Sequence, residues 1–319
     1  MAIFTIFEQI LVLAIIAIVG VLAVRFKILN DDAKNVIEKI VFYITLPLLI
    51  ITKLASLEIS DQILKNGFQV IIFTYVILFI QIVIGKISTK GFKLSKSQNT
   101  IHFMHTFLGN IVFLGFPLLD ALYPGGEAIL YAALYQLVMN TVLWTYGINQ
   151  LAPAKNEQGF RSLKKLLNPN TIALLIGLML MILRIKLPVV LDASLGGLGK
   201  ATLPLAMIYI GILLSKTRLK ETIKKWDVLF LSLNKLIIIP ILLMLLLKLI
   251  LLYTPFQINS VAIAVLILEA SMPCMTILVI LAKRYGADDQ KAMENFVVST
   301  IFSVLSLPFI IFLLDKYFG

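Results

Sequence analysis

Leu108-Gly109-Asn110-Ile111-Val112-Phe113-Leu114-Gly115-Phe116-Pro117 and Glu269-Ala270-Ser271-Met272-Pro273-Cys274-Met275-Thr276 are the two stretches that decide the fold. Each lies within a long apolar run and carries residues that a continuous helix avoids. Proline removes an amide donor and crowds the preceding turn, and glycine tolerates the unwound backbone that results. Interruptions at matching places in two halves of a membrane chain point to discontinuous helices that meet near the bilayer midplane. Amides freed at a half-helix N-terminus there favour an anionic group. The plainer reading of any single proline is a kink, and Pro47, Pro204, Pro240 and Pro308 are assigned to it. Pairing sets the two quoted stretches apart. Their register stands open, since Pro117 with Pro273 gives an offset of 156 and Gly109 with Pro273 gives 164.

The composition outside these stretches fits the same reading. Of 319 residues, 60% are hydrophobic and 14% charged, against about 25% charged in a soluble domain, and the mean hydropathy is +0.99. A soluble globule is excluded. Apolar stretches bounded by charge or turn signals predict ten spans, starting near residues 4, 37, 67, 100, 127, 169, 200, 228, 260 and 292. The first has no basic region ahead of Phe4 and no small-residue cleavage site behind it, so it reads as a retained span. The single cysteine, Cys274, excludes an intramolecular disulfide and a thiolate metal site. A net charge of +11 suggests nucleic acid only where it forms a basic face on a folded domain. Here the charge falls between apolar runs, so no nucleic-acid partner is expected.

Positive residues are retained on the cytoplasmic side. Twenty of the 28 Lys and Arg fall in the loops after the first, third, fifth, seventh and ninth spans. Lys53, Lys65, Arg184, Lys186, Lys200, Lys248 and Lys316 fall on the other side, and Lys235 lies inside the eighth span. This split predicts a multi-pass protein of the cytoplasmic membrane with both termini outside. The chain also repeats. Arg25-Phe26-Lys27 resembles Arg184-Ile185-Lys186 at an offset of 159, and Thr45-Leu46-Pro47-Leu48 recurs as Thr202-Leu203-Pro204-Leu205 at 157. Tyr123-Pro124-Gly125 has its counterpart in Tyr285-Gly286, at an offset near 162. Three matches in one order predict a duplicated five-span unit: residues 1–150, a cytoplasmic linker 151–168, and residues 169–319. Five is odd, so the second copy enters from the opposite face, as in many secondary transporters.

Leu108-Gly109-Asn110 running on to Gly115-Phe116-Pro117-Leu118-Leu119 and Ala121-Leu122-Tyr123 resembles the fourth span of the auxin efflux carrier family. Ala270-Ser271-Met272-Pro273, then Ala282-Lys283-Arg284-Tyr285-Gly286, resembles that family's ninth span, and Asn168-Pro169 is similar to the opening of its sixth. The resemblance implies an all-α fold of ten spans, with spans 1, 2, 6 and 7 as scaffold and spans 3–5 and 8–10 as a transport domain moving in an elevator-like cycle. It places the crossing of broken spans 4 and 9 near Gly109-Asn110 and Pro273-Cys274, and implies a homodimer through the scaffold. The family's plant hormone carriers commonly have proline in place of Gly109 and a long loop between spans 5 and 6. That loop is short here, so the bacterial branch, associated with malate or malonate, is the closer resemblance.

Polar residues inside apolar spans are the candidate site. Glu269 lies four residues before Pro273, one turn from the break. An intramembrane carboxylate usually serves ion or proton coupling, and its alternative is a structural pair with Lys235. Asn110 offers donor and acceptor beside the break, the first choice for substrate contact with Gly109, Pro273 and Cys274. Gln136 and Asn140, at i and i+4, either complete a polar lining or bond across helices as packing glue. Ser271 and Thr276 supply hydroxyls or back-bond to freed carbonyls. His102 and His105 have no acidic or thiol partner nearby in sequence to complete a metal site, and read as membrane-surface histidines. Asp61 and Lys65 read as a solvated i,i+4 pair or, by resemblance, a gate.

The leading expectation is a secondary active transporter of a small organic anion, with no cofactor and with the lipid bilayer as its surroundings. A gradient drives it, because no Gly-x-x-x-x-Gly-Lys-Ser/Thr phosphate loop is present. The alternatives are a uniporter or exporter of an auxin-like monocarboxylate, and a membrane-embedded enzyme. The enzyme reading lacks a His-Glu-x-x-His, paired carboxylates within a span, or a histidine beside Cys274 in sequence.

Overall fold

A computed structural model describes residues 3–30, 32–151, 164–215, 219–254 and 257–319. Apart from single turns, the described residues form twelve helices and no strand: α1 (Ile3–Arg25), α2 (Ala33–Ala55), α3 (Asp61–Ser88), α4 (Lys96–Phe107), α5 (Ile111–Leu122), α6 (Glu127–Leu151), α7 (Pro169–Ile182), α8 (Val189–Leu214), α9 (Trp226–Tyr253), α10 (Ser260–Ala270), α11 (Ile277–Tyr285) and α12 (Asp289–Phe318). Among the described residues, α1, α2, α3, α6, α8, α9 and α12 are long and apolar enough to cross a membrane, while α5, α7 and α10 are apolar but shorter. Large apolar side chains stay exposed along these helices, Phe79 at 67% and Leu305 at 72%. In water such a surface would drive association; facing lipid it carries no penalty.

The helices fall into two units by their internal contacts. The first comprises Met1–Val70, Ile111–Tyr135 and Leu167–Lys216, within the described residues. In it α1 packs on the second half of α8, and α7 on the second half of α2. Glycines set both distances. A Cβ at Gly20 would lie 2.5 Å from the carbonyl oxygen of Ile208, and one at Gly177 would lie 2.9 Å from the Leu54 Cβ. Small residues let membrane helices approach closely enough for dispersion contacts to hold them, since lipid gives no hydrophobic drive between helices. Phe113 of α5 meets Tyr209 of α8 with ring centroids 4.4 Å apart. Lys53 pairs with Asp120 at 2.5 Å and donates to the Pro124 carbonyl at 3.0 Å.

Helices α1 and α7 end alike. Lys27 and Arg184 take positive φ, 59° and 54°. Lys27 N donates to Val24 O and Ile28 N to Ala23 O; Arg184 N donates to Met181 O and Ile185 N to Leu180 O. Both are left-handed caps closed by a six-to-one bond. Like positions of the two caps are 157 residues apart, as are Thr45 and Thr202, where the sequence pairing of Arg25 with Arg184 gave 159.

Three prolines share another device. Pro47, Pro117 and Pro240 each stand two residues beyond a five-residue π turn: Val41–Thr45, Ile111–Gly115 and Asn234–Ile238. A proline ring clashes with the carbonyl four residues back and cannot bond it. A widened turn moves that carbonyl aside and bonds the residue before proline five back instead, as Leu46 N does to Val41 O. A fourth π turn, Leu143–Gly147, has no proline behind it.

The second unit comprises Ile71–Asn110, Gln136–Leu166 and Thr217–Gly319, within the described residues. Here α12 packs on α4, α9, α10 and α11. Every residue of α10 from Ala262 to Ala270 is buried. At one end of α9 and α12, Lys225 pairs with Glu294 at 2.6 Å and Lys291 with Asp227.

Candidate functional site

The breaks after α4 and α10 meet within the second unit. Leu108 turns extended after the last bond of α4, and Gly109 pairs with Cys274 in an isolated antiparallel bridge. Asn110 N donates to Pro273 O at 2.8 Å and Met275 N to Leu108 O at 3.2 Å. The segments between α4 and α5 and between α10 and α11 thus satisfy each other's backbone, which buried non-helical chain must do in a membrane. Gly109 sits closest: a Cβ there would lie 3.1 Å from the Glu269 carbonyl oxygen and 3.2 Å from the Met272 Cβ. The bridge brings Gly109 to Pro273-Cys274, and Pro117 lies beyond it in the first turn after the π segment of α5.

Three of the backbone amides at this point are engaged. Besides those of Asn110 and Met275, Cys274 N donates to Ser299 Oγ of α12 at 3.0 Å. Side chains carry the remaining capacity. Asn110 is 2% exposed; Thr276 Oγ1 approaches its Oδ1 at 3.5 Å, and its Nδ2 has no partner among the described residues. Glu269 is 1% exposed, and neither of its carboxyl oxygens is hydrogen-bonded among the described residues. It does not pair with Lys235, whose Nζ donates to Thr106 O at 3.2 Å. Gln81 Nε2 donates to Ala270 O at 3.2 Å and leaves its Oε1 without a partner. Ser271 Oγ back-bonds to Ile267 O at 2.6 Å. Buried polar atoms are bonded in the great majority of folded proteins; among the described residues Asn110 Nδ2, Gln81 Oε1 and both Glu269 carboxyl oxygens are exceptions.

His102 and His105 are fully buried, which corrects their reading as surface residues. Helix α4, which carries both, packs on α12. His105 Nε2 lies 3.2 Å from Met275 O and its Nδ1 3.4 Å from Asn295 Nδ2 of α12. One tautomer fits both contacts, with Nε2 donating to the carbonyl and Nδ1 accepting from the amide. His105 and Glu269 stand at the same distance before Gly109 and Pro273, a correspondence that could have marked the histidine. His102 lies 3.5 Å from Ser88 Oγ and stacks obliquely near Phe92. Ser299 and Asn295 leave no local signal, since α12 is distant in sequence.

The other candidates are more scattered. Gln136 and Asn140 are buried on α6 at 4% and 9% exposure. Asp61 and Lys65 are exposed in the first turns of α3, and the ion pair of that unit given above joins Lys53 to Asp120 instead.

A family profile described as membrane transport protein matches residues 5–311. The chain belongs to this membrane transport protein family. It is the auxin efflux carrier family to which the motifs at Gly109 and Pro273 point. Among its relatives, an uncharacterized transporter of Methanocaldococcus jannaschii is 26% identical over 304 residues, covering 93% of this chain and 95% of the relative. Membership of a membrane transport protein family accounts for apolar helices with a polar crossing, because a carrier must hide a polar cargo from lipid.

Proposed function

We propose that the protein is a secondary active transporter that moves a small organic anion, a dicarboxylate such as malate or malonate, across the cytoplasmic membrane by elevator-like alternating access. The observation that carries this reading is the Gly109–Cys274 bridge with Asn110 Nδ2 and the Glu269 carboxyl unpartnered beside it. Asn110 Nδ2 is a donor for a substrate carboxylate, Thr276 adds a hydroxyl, and Gln136 and Asn140 extend the lining from α6. Glu269 carries a coupling proton: protonated it donates a hydrogen bond, and ionised it repels an anion.

Ten spans result when α4 is joined to α5 and α10 to α11 across their breaks, five on each side of the linker 151–168. The matching caps at Lys27 and Arg184 support an inverted repeat. So do the glycine contacts: Gly20 faces Gly211 and Gly177 faces Leu54, positions that exchange at the same offset of 157. Clustering of contacts into two units supports a scaffold of spans 1, 2, 6 and 7 and a transport domain of most of the remainder, with α5, the first turns of α3 and the first half of α6 clustering among the scaffold spans. In the first half of α8, Val189–Lys200, only Gly199 is buried, which supports a homodimer through the scaffold. The lysine and arginine distribution supports termini outside, and Asp61 and Lys65 stand at that face as a gate.

The test is uptake of labelled malate and malonate into proteoliposomes under an imposed proton gradient, with protein-free liposomes as control. Saturable uptake with counterflow is expected. Flux that rises linearly with concentration, or no flux of either acid with either gradient direction, overturns the reading.

A further inference from the structure

We infer that Lys235 is a tethered cation, occupying the half-helix end at which a carrier of this build would otherwise bind a free one. Interrupting a helix strips carbonyls of their partners. At the first break, the carbonyl of Thr106 loses the Asn110 amide, which goes to Pro273 O; at the second, that of Ala270 loses the Cys274 amide, which goes to Ser299 Oγ. Each orphan is met by one side chain, Gln81 Nε2 on Ala270 and Lys235 Nζ on Thr106, both at 3.2 Å. Thr106 and Ala270 are 164 residues apart, the offset that relates Gly109 to Pro273. The two side chains do one job at equivalent places, and a neutral amide suffices at one of them.

What differs is the charge. Lys235 is 1% exposed on the widened turn Asn234–Ile238 of α9. Among the described residues no carboxylate pairs with it, and its electrostatic neighbours are Cys274 and His105. A lysine in the membrane interior is costly and is retained where it acts. The C-terminal end of α4 compensates it, because that end of the helix dipole favours a cation, and half-helix C-termini are where coupling cations bind in transporters. A fixed positive charge there offsets that of a carboxylated guest at Asn110 without recruiting an inorganic ion. The inference rests on the transporter reading for its purpose, though not for its chemistry.

The test separates charge from capping. Lys235→Ala removes the atoms of propylammonium, so its thermal unfolding in detergent is followed with propylammonium chloride, with propanol as the neutral mimic, and with sodium chloride; Lys235→Ser replaces it if it does not fold. The expected result is a saturable rise in midpoint with propylammonium, recovering at least half the loss, absent with propanol and absent in the wild type. Lys235→Gln, which copies Gln81, folds and loses malonate uptake at least tenfold, whereas Lys235→Arg keeps more than Lys235→Gln. Equal recovery with propanol, or wild-type uptake by Lys235→Gln, overturns the inference. Absence of malonate uptake by the wild type counts against the transporter reading alone, since the propylammonium result decides the charge by itself.

Discussion

A single glycine decides how close two helices come. The Ile208 carbonyl that a Cβ at Gly20 would strike is backbone and cannot swing away. Gly20→Ala should therefore lower stability by about 1–3 kcal/mol, while Gly91→Ala, with open space at its Cβ, should leave the unfolding midpoint unchanged. Glu269 behaves differently, because it has no hydrogen bond to lose. Glu269→Gln is expected to keep or raise the unfolding midpoint while abolishing the pH dependence of malonate uptake. Unchanged rate and pH dependence would remove the coupling role. At this scale the helix ends before Gly109 and Pro273 were legible because glycine and proline punctuate a helix wherever they stand. The tasks of Lys235, His105 and Ser299 were not, since each is defined by a partner on another helix.

At the scale of the element, caps and widened turns do what propensity does in soluble proteins. Asn259 opens α10 by accepting from Ala262 N at 2.8 Å, and Asn168 opens α7 by accepting from Asn170 N and Thr171 N. Asn259→Ala should cost about 1 kcal/mol, read as a lower midpoint in a thermal scan. Lys27 and Arg184 pay for a left-handed cap that Gly286 adopts at the end of α11 without a Cβ. Arg184→Gly is expected to stabilise by up to about 1 kcal/mol. The existence of these helices was readable from their apolar runs and caps. The π turns were not, because a proline in a sequence announces a disturbance without saying whether the helix kinks, stops or widens around it.

For the whole molecule, sidedness follows from where lysine and arginine lie. With Cys274→Ala as background, Lys65→Cys should react with a membrane-impermeant maleimide on intact cells and Lys93→Cys only after permeabilisation; the reverse pattern would invert the topology. Both positions are exposed, so access is set by the membrane. Cys274 itself is fully buried beside Ser299. It should label slowly in the folded protein and fully after denaturation, and protection by malonate should slow it further. Partition of the contacts into two units was not legible in the sequence, since helices distant in sequence make up each unit.

By itself the sequence determined that this chain belongs in a membrane, where its long apolar helices run, and that glycine and proline interrupt two of its apolar runs. Those properties follow from composition and from local backbone chemistry, which act over a few residues. Tertiary structure alone decided which helix end meets which, that the amides of Asn110, Cys274 and Met275 are paired there, and that a lysine and a glutamine donate to the carbonyls of Thr106 and Ala270. Most of these depend on contacts between segments more than a hundred residues apart, and no local pattern encodes the distance between them.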